Sequence, residues 1–221
     1  FFNAEPGTRD PLWSRGLGDV YKRQAGLGCV AGSFFVAAVI LPKKCPNLEH
    51  FKLWNNIKDS KKLSKKKRYE LADYIKEIAL DYSVVEVTNE QIDNTNILKE
   101  RLKSYHNVLD KLNIIPDNIL VDGDKFKPYL SPNAEFISHI CIEKGDNKFR
   151  SIAAASIIAK TNKDDHVLKM HMEYPVYGWD TNSCYLTAKH NESILKYGIT
   201  KYHRRTFGIC KQWKELPQDY L

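Results

Sequence analysis

Short, densely apolar runs alternate along this chain with longer stretches in which apolar residues recur every three or four positions. Residues Phe34 to Leu41, FFVAAVIL, are uninterrupted apolar residues ended by Pro42, which predicts a buried strand. From Ser64, a good N-cap, residues Leu71, Tyr74, Ile75, Ile78 and Tyr82 fall at helical spacing and predict a helix with one apolar face. YSVVEVT, Tyr82 to Thr88, predicts a second strand. Leu98, Leu102, Tyr105, Leu109 and Leu112 form the stripe of another helix, from about Ile97 to Leu112. After Pro116, NILVD predicts a short strand that stops at Asp122-Gly123, and HICIEKGD predicts a further strand from His139. SIAAASIIAKTNKDDHVLKMHM, from Ser151, predicts a long helix whose first turns, rich in Ala, Ile and Ser, must be buried. This order of elements predicts an α/β protein with a mixed sheet and helices packed on it.

Composition narrows the class. A chain of 221 residues with 43% apolar content fits one domain with a short appendage. No apolar run nears the roughly 20 residues that span a bilayer. The first residues, FFNAEPGTRDPLWSRG, lack the basic, apolar and small-residue order of a signal peptide, so a cytoplasmic protein is expected. Five cysteines, Cys29, Cys45, Cys141, Cys184 and Cys210, show no paired C-x-x-C spacing, and free thiols are expected rather than disulfides or a zinc site.

Charge adds a partner. The net charge is +7, and KDSKKLSKKKR, Lys58 to Arg68, places seven cations in eleven residues. KYHRRTF, Lys201 to Phe207, adds a second basic cluster. Two such clusters point to a polyanion, although a lysine run taken alone is equally the solvated start of a helix.

Candidate chemistry lies at strand and helix ends. Asp122 closes an apolar strand before Gly123, with Asp124 two residues on: either a plain Asp-Gly turn or a carboxylate that can hold a divalent cation. Asp164 follows Lys160 by four residues, Ile157 by seven and Ala153 by eleven, which sets it on the face of buried positions. An acid there requires a metal or an ion pair, with Lys160 or Lys163 at hand. AGLGCVAGS satisfies the dinucleotide-binding spacing, but that motif needs a helix after the glycines, and FFVAAVIL reads as a strand. His190 and His203 are either general bases or packing residues, and Tyr185 either stacks on a sugar or base or packs at a rim.

Taken together, the blocks DSKKLSKKKR at Asp59, IDNTNIL at Ile92, VDGD at Val121, SIAAASIIAKTNKDD at Ser151, YGW at Tyr177, the Tyr185 and His190 pair, and YGITKYHRRTF at Tyr197 resemble ribonuclease HII. That family nicks the RNA strand of RNA·DNA hybrids, and the resemblance runs from about Ala25 to Phe207. It implies a ribonuclease H-like α/β fold: a five-stranded mixed sheet flanked by helices, then a small helical C-terminal part. The implied division is a catalytic domain over residues 25–175 and a substrate-contacting part over 176–221. It also implies four carboxylates holding two Mg²⁺ or Mn²⁺ ions, roughly 3.5–4 Å apart in such sites. Asp122 would be the third carboxylate and Asp164 the fourth. Lys61 would meet backbone phosphate, Tyr185 would stack on the deoxyribose at the RNA-to-DNA junction, and backbone near Gly26 and Gly28 would read the 2′-hydroxyl. A monomer acting on hybrids, or on duplex DNA with one embedded ribonucleotide, is the expectation.

The departures are as telling. Alignment on Ala25-Gly26 puts Arg23 and Gln24 where the family carries Asp-Glu, so two metal ligands are missing. Ser33 stands where Pro is usual. Ser183, Cys184 and Leu186 replace a Lys and two Gly around Tyr185, and Glu100-Arg101 interrupt a turn of small residues. Everything before Ala25 departs at once, and SRGLGDVYKRQ resembles translated adapter read-through, the mark of a non-native segment over residues 1–24. Two expectations follow: a metal-dependent endoribonuclease impaired at its first strand, or a catalytically silent binder of hybrid duplexes. If the first residues do fold on the sheet, Val20 and Leu17 would stand in for the missing central strand.

Overall fold

A computed structural model of the chain describes residues 19–58 and 60–213. Among the described residues are six strands: β1 (Asp19–Ala25), β2 (Phe34–Ile40), β3 (Asp81–Val87), β4 (Asn118–Asp122), β5 (Tyr129–Leu130) and β6 (Phe136–Ile142). They form one sheet in the order β3-β2-β1-β4-β6-β5. β1 and β4 are parallel, as are β4 and β6, whereas β5 and β6 are antiparallel, which makes the sheet mixed as expected. The count exceeds the expected five because β5, only two residues long, pairs Tyr129 with Ile137 and Leu130 with Phe136. That pairing also starts β6 at Phe136, three residues before the expected His139. The helices are α1 (Phe51–Asn55), α2 (Lys65–Ile78), α3 (Asn89–Asn94), α4 (Ile97–Asp110), α5 (Arg150–Glu173), α6 (Trp179–Asn182) and α7 (Ala188–Tyr197). No described helix is long and apolar enough to cross a membrane.

Burial explains most element boundaries. All seven residues of β2 are buried, the signature of an interior strand covered on both faces. β3, at the end of the strand order, alternates buried and open positions as a half-covered edge should. Ser64 caps α2 by accepting the Lys67 amide at 3.3 Å, and Leu71, Tyr74 and Ile75 are buried along it. Tyr82, assigned to that stripe by spacing, belongs instead to β3 and lies open. On α4 the expected stripe is displaced. Leu98 is 65% exposed, while Glu100 is buried at 6% and accepts the Thr95 hydroxyl at 3.0 Å. A buried acid satisfied by a neighbouring hydroxyl looks polar to a periodicity count, so the inward face was misplaced at this end.

The chain groups into two compact units. The first holds residues 19–24, Val36–Val85 and Ser104–Thr161; the second holds Ala25–Phe35, Glu86–Lys103 and 162–213. In the first, the interior of β4 (Ile119, Leu120 and Val121) and the Ile152–Ala159 turns of α5 are buried, as the Ala- and Ile-rich sequence requires. In the second, Val30, Val167, Met170, Tyr177, Trp179, Ile194 and Ile199 form a separate core with Cys29, Cys184 and Cys210. All five cysteines are free thiols.

The first strand forms although its sequence, DVYKRQA, lacks apolar alternation. β1 runs in register with β4, Val20 opposite Ile119 and Lys22 opposite Val121. Val20 therefore occupies the central strand, while Leu17 lies outside the described residues. Beyond Ala25 the chain enters a glycine loop and then β2, with no helix after the glycines. A pyrophosphate site needs that helix N-terminus, so the dinucleotide reading is excluded.

Candidate active site

Parallel pairing sets the first half of the site. Asp122 is the last residue of β4, and its Oδ1 accepts the Gly145 amide at 3.0 Å. At Gly145 a Cβ would come within 2.4 Å of the Ile152 δ-methyl, which would have to turn aside. The Gly123 amide donates to the Ile142 carbonyl, which ends the strand and leaves Asp122 at its tip. One residue beyond the Lys22–Val121 pair, the β1 register brings the Arg23 backbone alongside Asp122. The next residue, Gln24, accepts the Tyr105 hydroxyl on its Oε1 at 2.7 Å. Asp164 sits half-buried on α5 in the second unit, whereas Asp122 belongs to the first. Of the two pairing partners that spacing offered Asp164, Lys163 is committed elsewhere, because its ammonium donates to the Ser183 carbonyl at 2.9 Å.

A two-metal site requires anionic oxygens on adjacent strands. Here one position carries a cationic residue, and the next carries a neutral amide whose oxygen is already taken by Tyr105. Among the described residues no three His, Cys, Asp or Glu side chains gather as a metal cluster. The residues present do not fit a pair of divalent cations.

The second unit gathers the expected recognition residues. Gly26 adopts φ +99, and a Cβ there would sit 3.1 Å from the Ser33 carbonyl and 3.2 Å from Lys163 Cε, so only glycine fits. A Cβ on Gly28 would meet the Tyr185 ring at 3.5 Å, so the tyrosine lies beside this glycine. Lys163, itself buried, holds its ammonium 5.2 Å from the Tyr185 ring centroid. Tyr185 is 48% exposed, with a face free to stack. Its loop is strained: Ser183 and Cys184 both take left-handed backbone, φ 51 and 66, where the family's usual glycine at the second position would do so freely.

Sequence reading missed the residue that braces this loop. Arg204 is 0% exposed, and its guanidinium donates to the carbonyls of Gly26 at 2.8 Å, Leu27 at 2.7 Å and Gly32 at 3.0 Å. Its own amide donates to the Val30 carbonyl. Burial pulls the guanidinium pKa below its ordinary value. Within the cluster KYHRRTF, His203 and Arg204 are therefore interior, while Lys201 and Arg205 stay exposed. Lys201 pairs with Glu173, His203 and Arg204 are enclosed, and Asp93 accepts the Arg205 and Thr206 amides. Nothing in a run of basic letters distinguishes a solvated arginine from one that satisfies buried carbonyls.

His190 and His203 are packing residues. Thr200 N–H donates to His203 Nδ1 at 2.9 Å, so the proton of neutral His203 lies on Nε2, facing His190 Nε2 at 3.3 Å. Trp179 Nε1–H also donates to His190 Nε2, at 3.0 Å, which leaves the His190 proton on Nδ1, donated to the Tyr185 carbonyl at 2.9 Å. The chain of bonds thus ends on the backbone of Tyr185. Burial, then the neighbouring His190, pulls the His203 pKa down to about 3, and burial lowers that of His190. Both rings stay neutral, and neither is exposed.

The lysine-rich run behaves differently. Arg68 turns back to donate to the Ser60 and Leu63 carbonyls, each at 3.2 Å, and fastens the turn that carries Lys61. Lys58, Lys61, Lys65 and Lys66 remain exposed, a cationic surface on the first unit.

Comparison with known proteins agrees with this architecture. The family model described as Ribonuclease HII matches residues 24–210. Ribonuclease HII of Parabacteroides distasonis is 45% identical over 189 residues, 86% of this chain and 89% of the relative. That of Bacteroides thetaiotaomicron is 44% identical over 186 residues, 84% and 87% of the two chains. The crystal structure of ribonuclease H2 from Pyrococcus horikoshii OT3 is similar with a TM-score of 0.74 at 26% identity, covering 89% of this chain and 96% of that one. With the mixed sheet, the carboxylate at the tip of β4 and the glycine loop against Tyr185 in place, this chain belongs to the ribonuclease HII family of RNA–DNA hybrid endoribonucleases.

Proposed function

We propose that this chain binds RNA·DNA hybrids and DNA duplexes carrying one ribonucleotide, and that as written it cleaves them poorly. The glycine loop lying against Tyr185 is the observation that carries the binding half. A stacking ring beside backbone that closely approaches a sugar is the chemistry needed to tell a ribose from a deoxyribose. Lys61, on a turn fastened by Arg68, supplies phosphate contact with the exposed lysines around it, so affinity falls steeply with salt. Asp122 and Asp164 are the retained carboxylates of a family that uses Mg²⁺ or Mn²⁺, and Arg23 and Gln24 are the positions at which the set is broken. The protein acts as a cytoplasmic monomer, and residues 1–24 are a non-native replacement for the family's first strand.

The test is incision of a duplex with a single ribonucleotide in Mn²⁺ and Mg²⁺. The unaltered chain should cut barely or not at all, and Arg23→Asp with Gln24→Glu should raise incision by about three orders of magnitude. Robust cutting by the unaltered chain would sink the account of Arg23 and Gln24. A chain still silent after both substitutions, yet binding the duplex in a salt-sensitive manner, would be a natural binder instead. Genomic DNA encoding VYKRQAG without a break would refute the foreign origin of the first residues.

A further inference from the structure

In the glycine loop, carbonyl direction fixes amide direction. Every peptide here is trans, so the C=O of one residue and the N–H of the next point to opposite sides of their shared plane. Arg204 draws the carbonyls of Gly26 and Leu27 toward itself. The amides of Leu27 and Gly28 must then point away from Arg204. Among the described residues no acceptor meets either amide, although the neighbouring amides of Cys29, Val30, Gly32 and Ser33 all have one. Gly28 is exposed, and a Cβ there would meet the ring of Tyr185.

We infer that Arg204 is the positioning residue for ribose discrimination: its three-carbonyl grip aims the Leu27 and Gly28 amides at the 2′-hydroxyl of the ribose that adjoins the sugar stacked on Tyr185. This rests on the recognition reading above and adds the device that sets the loop. A guanidinium suits the task because its planar fork reaches three acceptors at once from one buried stem, which an ammonium cannot reproduce. The cation–π contact of Arg204 with Phe207, at 5.1 Å, covers the other side of the fork.

The test is binding in EDTA, by fluorescence anisotropy, of two short duplexes identical except for one central ribonucleotide. The unaltered chain should prefer the ribonucleotide duplex by about tenfold, the value of one well-placed hydrogen bond. Arg204→Met should bring that preference to about one while affinity for the all-DNA duplex changes by less than about twofold. Arg204→Lys, which keeps the charge and fewer of the contacts, should retain about a threefold preference; it carries the test if the methionine variant does not melt cooperatively. A folded variant that keeps the full preference, or that weakens both duplexes equally, would overturn the assignment and leave the recognition reading standing. An unaltered chain without any preference would remove the recognition reading and this inference with it.

Discussion

In the second unit two cationic side chains, Arg204 and Lys163, lie buried with their donors committed to main-chain carbonyls of Gly26, Leu27, Gly32 and Ser183. In the first unit a cationic residue, Arg23, follows the Lys22–Val121 pair toward Asp122, at one of the positions where the proposed function puts the broken metal set. The same charge braces one region and, under the proposed function, disables the other. A recognition surface built from backbone held by buried donors depends on distant residues, so a substitution near its rim, such as Leu186, leaves its frame intact. A metal site depends on a few identical charges at fixed positions, and two letters are enough to undo it.

Several measurements would break or sharpen this contrast. The largest effect concerns catalysis. With Asp and Glu restored at positions 23 and 24, Asp122→Asn should abolish incision, by about a thousandfold or more in single-turnover assays, while duplex binding stays within about threefold. If binding fell equally, the separation of the two functions would be wrong. Next comes the core of the second unit. Trp179 is fully buried, stacks on Tyr177 at 5.0 Å between centroids and donates to His190, so Trp179→Ala should cost about 3–5 kcal/mol in urea denaturation. Loss of the same size in ribonucleotide preference alone, without loss of stability, would contradict the structural role.

Acid should act through His190 and His203. Both pKa values are depressed in the folded state, so the unfolded chain binds more protons below its ordinary histidine pKa near 6.5. Stability is therefore complete above that pH and falls as pH drops, with His203 contributing on the order of 1 kcal/mol per pH unit down toward its folded value of about 3 and His190 acting in the same direction. His203→Gln should flatten this slope in pH-resolved denaturation; an unchanged slope would show that other groups control acid unfolding. Tyr185→Ala should lower duplex affinity by about tenfold, while Tyr185→Phe stays within about twofold, because stacking needs the ring and not the hydroxyl. The smallest effect lies at Ala134 in the first unit, exposed and left-handed at φ 61. Ala134→Gly should stabilise by about 0.5 kcal/mol in thermal melts, the relief of strain exceeding the cost of a more flexible unfolded chain.

Much of this was legible in the sequence, for identifiable reasons. β2 announced itself because a strand covered on both faces has to be apolar throughout, and the Asp122-Gly123 strand end because a glycine with positive φ stops a ladder. Ser64 fulfilled its capping role. Periodicity erred wherever a polar side chain is buried with its own partner, as at Glu100, and wherever a basic letter satisfies carbonyls rather than solvent, as at Arg204. Such partnerships join residues as many as 178 positions apart, and no local window contains them. The place of β1 was also hidden, since it depends on backbone pairing that DVYKRQA does not advertise.

That last feature makes the first strand a replaceable part. β1 lies between β2 and β4, and its pairing uses main-chain groups that any sequence without proline possesses. Remove it, and two interior strands become neighbouring open edges, a slot shaped to capture extended peptide from another molecule. Filled with a synthetic peptide carrying the two acids, the same slot would give a nuclease assembled from two pieces, switched on by adding its missing strand.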